Sequence, residues 1–246
     1  MNDSTVVKKL EINRETIQLK QGNSNKKWLV KGGFLRKKFG SVEQAALEYY
    51  TKNGWTGDRE EGFLLQNVIK AALIKKMPLT FKACPLKSVL SGWTDGLEHS
   101  TVSPRISEFL DNISLSNVAQ IKRNYRILAK KGPFTYEWSG MRMKKPAGHG
   151  LLDYHPKINR ELFVELYKAL GTNRLRDIAE RMAKDPESYG KGWPDLTLWR
   201  GSELQFKEIK APGDKLQASQ KNTIKNILLP LGYHVSVVDV SPALSD

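Results

Sequence analysis

The chain has 246 residues, enough to bury a sizeable core, and its length suits one elaborated domain better than a pair of small ones. Lys and Arg number 40 against 26 Asp and Glu, and the resulting charge of +14 points to a polyanionic partner, although ribosomal or merely soluble basic proteins share that balance. The single cysteine, Cys84, excludes an internal disulfide framework and a cysteine-based zinc site, and the lack of an apolar leader or long apolar run leads us to expect a cytoplasmic chain that does not enter the membrane.

Residues 1–40 mix short β-like runs, ETIQLK and KKWLVK, with basic turns, and read as an arm or small β-ribbon beside the main body. Ser41 and Gln44 form a capping-box pattern that opens a helix through VEQAALEYYTKN, closed by Gly54. A second helix is expected over about Glu60–Lys76, with Leu64, Leu65, Val68, Ile69, Ala72 and Leu73 as its buried stripe and Pro78 beyond its end. After a mixed segment, SNVAQIKRNYRILAKKG reads as a helix with Val118, Ile121, Tyr125 and Leu128 inward. Lys122, Arg123, Arg126, Lys130 and Lys131 occupy its other face, a solvated surface or, beside a nuclease site, a phosphate-backbone contact. GPFTYEWSGMRMKKPAGHG is taken as a loop-rich junction. Further helix follows through NRELFVELYKALGTNRLRDIAERMAK, and the chain closes with a strand pair, a Gln-rich helix over about Gln217–Leu229, and the strand YHVSVVDV.

Within the strand pair, LTLWR and ELQFKEIK flank Gly201-Ser202, a two-residue turn that favours a type II′ hairpin. Arg200 then opposes Glu203 and, counting back, Asp195 opposes Glu208. Cross-strand neighbours place their Cβ atoms ~5 Å apart, so two carboxylates meet there at a cost unless a cation or a proton intervenes. Lys210 shares the Glu208 face, while Ile209 turns into the other layer with Leu196 and Leu198 and leaves its carbonyl as a hard oxygen ligand. Two carboxylates, a carbonyl and water suit Mg²⁺ or Mn²⁺ rather than zinc, and His99, His149, His155 and His234 are scattered. A lysine beside such a metal orients or deprotonates the attacking water and offsets charge on a phosphate, which is the chemistry of phosphodiester hydrolysis. The competing reading of E-x-K on a strand is an exposed cross-strand ion pair.

GWPDLTLW, FKEIKAPGDKLQASQ and GYHVSVVDV resemble the VRR-NUC branch of the PD-(D/E)xK nucleases. Upstream, AALEYYTKNGWTGDREEG with FKACPLKSVL and SPRISEFLDNIS is similar to the nuclease domain of the Fanconi-associated nucleases. The resemblance implies an α/β, restriction-endonuclease-like core, a central mixed sheet flanked by helices, with a long helical insertion. It implies one nuclease domain over 41–246, with a helical part (41–155) carrying Glu61 and a catalytic core (156–246). It makes Asp195, Glu208, the Ile209 carbonyl and Glu61, with Glu60 as its competitor, ligands of Mg²⁺ or Mn²⁺, and Lys210 the catalytic lysine. Asp214 and Gln220 match the P-x-D and S-x-x-Q positions, where support of the site or of substrate stands beside loop-capping and helix-surface roles. The expected activity is a DNA nuclease acting on branched or flapped DNA, and the long insertion goes with a monomer. Two alternatives are an antibacterial DNase toxin, exported without a cleavable signal and held by an immunity protein, and a non-catalytic nucleic-acid-binding module.

Overall fold

A five-stranded mixed sheet carries the β-hairpin that follows Asp195 and receives two strands from the N-terminal part of the chain. The computed structural model describes residues 10, 12–22, 27–30, 38–82, 84–91, 106–131, 134–138, 141–145 and 151–243. Part of the expected N-terminal arm, the start of SPRISEF, and His99 and His149 lie outside the described residues.

The sheet contains β1 (Asn13–Leu19), β4 (Thr56–Asp58), β7 (Leu196–Arg200), β8 (Glu203–Lys210) and β9 (His234–Pro242) in the order β1-β9-β8-β7-β4. β8 and β1 run parallel to β9, whereas β7 is antiparallel to both β8 and β4. Residues 13–19, expected in an arm or ribbon, are therefore an edge strand of the central sheet, paired along their length with Ser236–Pro242. Among the described residues, β2 (Trp28–Val30) and β3 (Lys38–Gly40) form the separate antiparallel ribbon expected near the N-terminus.

Helix α1 (Val42–Lys52) starts where Ser41 Oγ accepts the Gln44 N–H at 3.3 Å. Its buried face, Val42, Ala45, Ala46 and Tyr50, packs in one cluster with Leu196, Leu198, Ile209, Val238 and Val240 of the sheet. The inward placement of Ile209 with Leu196 and Leu198 follows from the period-two alternation of strand side chains.

The chain divides into two compact units, residues 1–62 with 191–246, and residues 63–190. These boundaries differ from the expected division at 155, because the central sheet is assembled from both ends of the sequence. The intervening unit holds α2 (Phe63–Leu73), α3 (Leu86–Leu90), α4 (Ile106–Ser114), α5 (Val118–Leu128), the hairpin β5–β6 (Phe134–Trp138 and Met141–Lys145), α6 (Leu151–Tyr154), α7 (Arg160–Lys184) and α8 (Pro186–Tyr189). The β5–β6 hairpin replaces the expected loop-rich junction. Helix α2 is shorter than the expected Glu60–Lys76, since Glu61 and Gly62 both have positive φ and fold as a turn ahead of it. At its other end, Gln120 and Asn124 side chains donate to the carbonyls of Ala71, Ala72 and Ile74, which takes the place of further helical turns. Helix α7 carries a break at Gly171. No helix among the described residues is long and apolar enough to cross a membrane.

Candidate active site

The β7–β8 turn sets the register of the site. Gly201 has φ of 60°, whereas Ser202 is absent from the residues with positive φ, the combination of a type II′ turn rather than type I′. Arg200 pairs with Glu203 and Leu196 with Lys207, and the next step brings Asp195 to Glu208. All three members of the Asp-Glu-Lys set are buried: Asp195 is 8 % exposed, Glu208 0 % and Lys210 7 %. An exposed cross-strand ion pair is thereby excluded.

Two close glycines let the Asp195 segment approach its neighbours. A Cβ on Gly192 would lie 2.3 Å from the Ser219 carbonyl, and one on Gly62 would lie 2.6 Å from the Trp193 side chain. The backbone before β7 thus lies against the start of helix α9 (Ala218–Thr223), and Thr223 Oγ1 ties it there by donating to the Lys191 carbonyl at 2.9 Å. Beyond α9 the helix widens into a π turn over Ile224–Leu228.

Around Glu208 the hydrogen bonds are unequal. Its Oε1 accepts from Lys210 Nζ at 2.7 Å and from Gln220 Nε2 at 2.6 Å, while its buried Oε2 has no partner. Asp195 Oδ2 accepts the Ile209 N–H at 2.7 Å. Burial, and next the Asp195 charge, push the Glu208 carboxyl up to about 8; burial also pushes Asp195 up to about 6 against the pull of the Ile209 N–H. In the absence of a cation the pair therefore favours keeping one proton, shared through a side-chain hydrogen bond between Glu208 and Asp195, and no other group partners Oε2. An orphaned buried carboxylate oxygen and two carboxyls that resist joint ionisation fit a divalent cation, which would replace that proton and complete the coordination of Oε2.

These groups line a recess of about 740 Å³ that also includes Ile209, Glu43, Glu61, Asp214, Gln220, Lys191 and Lys215. Ile209 belongs to the core cluster by its side chain, so it meets the recess through its backbone. Glu61, not Glu60, reaches the recess. It is exposed and has φ of 46°, the left-handed region that costs an L-residue ~1–2 kcal/mol. Just ahead of that turn, the buried Asp58 carboxyl accepts the N–H groups of Arg59 and Glu60; burial first, then the Glu60 charge, push it up to about 7. Asp214 caps its own loop, its Oδ2 accepting the Ala211 N–H at 3.1 Å and its N–H donating back to the Ala211 carbonyl at 3.0 Å. Among the described residues no three His, Cys, Asp or Glu side chains converge on one metal position, so the donor set is the Asp195–Glu208 pair with backbone and outlying acids.

Glu43 was not anticipated. It stands in the first turn of α1, lines the recess, and its charge adds to the upward push on Asp195. Lys122, Arg123 and Arg126 lie on the exposed face of α5 and Lys130 is exposed just past its end, all in the other unit, with Arg123 anchored by donation to the Lys75 carbonyl at 2.8 Å.

Residues 153–242 match the VRR-NUC domain, and the chain is similar over most of its length to the Fanconi-associated nucleases. Its curated relatives include a Fanconi-associated nuclease 1 homolog of Oryza sativa subsp. japonica, 26% identical over 216 residues, and one of Schizosaccharomyces pombe, 26% identical over 212 residues. Each alignment covers 82% of this chain but only 20% and 27% of those longer proteins. Crystal structures of paFAN1 bound to 5′-flap DNA with a gap share the fold. The complex with a 2-nucleotide flap superposes with TM-score 0.64 at 19% identity, covering 96% of this chain and 38% of that one. The complex with a 1-nucleotide flap gives 0.62 at 19%, covering 95% and 38%.

Proposed function

We propose that this chain is a Mg²⁺- or Mn²⁺-dependent DNA endonuclease that cuts branched or flapped DNA. The observation that carries this reading is the buried Asp195–Glu208 pair with an unpartnered Glu208 oxygen beside Lys210. Asp195, Glu208 and the Ile209 carbonyl would hold the cation, with Glu61 and Glu43 reaching it from the rim of the same recess. When bound, the cation would offset negative charge on the phosphoryl oxygens and lower the pKa of a water. Lys210 Nζ lies 2.7 Å from Glu208 Oε1 and faces the recess, where it orients the attacking water and offsets charge on the phosphate. Asp195, anchored by the Ile209 N–H, keeps one carboxylate oxygen fixed in place. Asp214 shapes the loop around the recess. Lys122, Arg126 and Lys130 supply backbone phosphate contacts that carry affinity without reading bases.

The proposed substrate class draws support from the flap-bound paFAN1 complexes, which share this fold. A non-catalytic binding module would have no use for a buried carboxylate kept short of a partner. One panel tests the whole reading: 5′ flap, 3′ flap, four-way junction and linear duplex, each with Mg²⁺, Mn²⁺ or EDTA. Metal-dependent cleavage of the branched substrates is expected, and undiminished cutting by Glu208→Ala protein overturns the assignment.

A further inference from the structure

We propose that Gln220 is a positioning residue that decides which oxygen of Glu208 pairs with Lys210 and which is left for the cation; the inference rests on the nuclease reading above. The terminal torsion of a glutamate is broad and roughly two-fold, so nothing in Glu208 itself distinguishes its two oxygens. The distinction comes from outside. Gln220 Oε1 accepts the Gln217 N–H at 2.8 Å at the start of α9, and that bond orients the amide. Its Nε2 then faces Glu208 and donates to Oε1 at 2.6 Å, onto the same oxygen that takes Lys210 Nζ at 2.7 Å. Lys210 Nζ closes the triangle, 3.4 Å from Gln220 Oε1. Two donors on one oxygen leave Oε2 buried and without a partner. At the third helical position a glutamate caps as well as a glutamine. Only the amide, however, offers an acceptor to the cap and a donor to Glu208 at once without taking up a proton.

That difference separates positioning from capping. Gln220→Ala removes both bonds, whereas Gln220→Glu keeps the acceptor for the Gln217 N–H and loses the donor. Four quantities are measured on the full chain: the Tm without metal, Mn²⁺ binding by calorimetry, and kcat and KM on a 5′-flap DNA. Gln220→Ala is expected to weaken Mn²⁺ binding and to lower kcat, each by roughly 10- to 100-fold, with KM for DNA unchanged. Gln220→Glu is expected to regain the Tm lost in the alanine variant without regaining kcat. Wild-type Mn²⁺ affinity in Gln220→Ala, or recovery of kcat together with Tm in Gln220→Glu, overturns the proposal and leaves Gln220 a helix cap. If the wild-type chain shows no metal-dependent cleavage, the nuclease reading fails by itself, and the Mn²⁺ comparison between wild type and Gln220→Ala still decides the role of Gln220.

Discussion

Strand β8 carries two buried lysines three positions apart, and each meets a glutamate at almost the same distance: Lys207 to Glu15 at 2.8 Å and Lys210 to Glu208 at 2.7 Å. On the Lys207 side every group is satisfied. Lys207 also donates to Ser236 Oγ at 3.1 Å, Tyr50 donates its hydroxyl to Glu15 at 2.9 Å, and Glu15 keeps 39% of its side chain in solvent. On the Lys210 side the glutamate is fully buried, lies against a second carboxylate, and leaves an oxygen without a partner. The first cluster pins the edge strand β1 to the sheet, and the second stays incomplete until something enters the recess. The lesson is that the burial of an ion pair says little about its role, whereas an unmet valence in a buried pair points to chemistry.

The sharpest way to break the comparison is substitution on each side. Asp195→Ala, Glu208→Ala or Lys210→Ala is expected to lower cleavage by roughly 10²–10³-fold or more while circular dichroism and DNA binding persist. Lys207→Met is expected to cost about 2–3 kcal/mol in denaturant unfolding, yet to leave cleavage per folded molecule unchanged. A Lys207→Met enzyme that folds normally and does not cut would merge the two clusters.

A pH series separates them next. Without metal, Glu208 keeps its proton up to about 8 and Asp195 up to about 6, whereas in the unfolded chain both release theirs near pH 4. The folded state thus binds more protons across that interval, and these groups make stability fall as pH rises through it. Glu208→Gln carries no such proton, so in EDTA its Tm relative to wild type is expected to climb between about pH 4.5 and 8. Mn²⁺ is expected to raise the wild-type Tm at pH 8 by more than that of the variant. Parallel curves for the two proteins would remove the electrostatic account of the site.

Smaller effects refine the rim. Glu61→Gly relieves the left-handed backbone and is expected to add about 1 kcal/mol of stability while lowering metal-dependent cleavage, a trade that an ordinary surface turn does not show. Replacement of Lys122, Arg126 and Lys130 by alanine is expected to flatten the salt dependence of DNA binding, by about one unit of slope for each phosphate that is no longer neutralised, with kcat on saturating DNA unchanged.

What the sequence revealed follows the range of the interactions involved. Asp195 and Glu208 were legible because a two-residue turn fixes their register locally. The capping role of Ser41 and the inward face of Ile209 were equally local. Glu43 was not, since its place depends on α1 packing with its first turn beside a segment some 150 residues later, for which helical spacing holds no cue. The same holds for β1, whose parallel partner is at the far end of the chain and is joined to it by no turn. The β5–β6 hairpin differs: Phe134, Tyr136 and Trp138 alternate with Thr135 and Glu137, a period-two signal that its polar and glycine-containing surroundings obscured.

The tight approach of Gly62 to Trp193 has an architectural meaning. The chain leaves the unit that holds the central sheet after residue 62 and returns at 191, and those two points stand one side chain apart. Residues 63–190 are thus one continuous segment inserted into the unit that holds the sheet, and an exposed site where the chain exits and re-enters close together is where insertions are tolerated. The acids proposed to hold the metal, Asp195, Glu208, Glu61 and Glu43, all belong to the unit that carries the sheet, which the chain leaves and re-enters at one place.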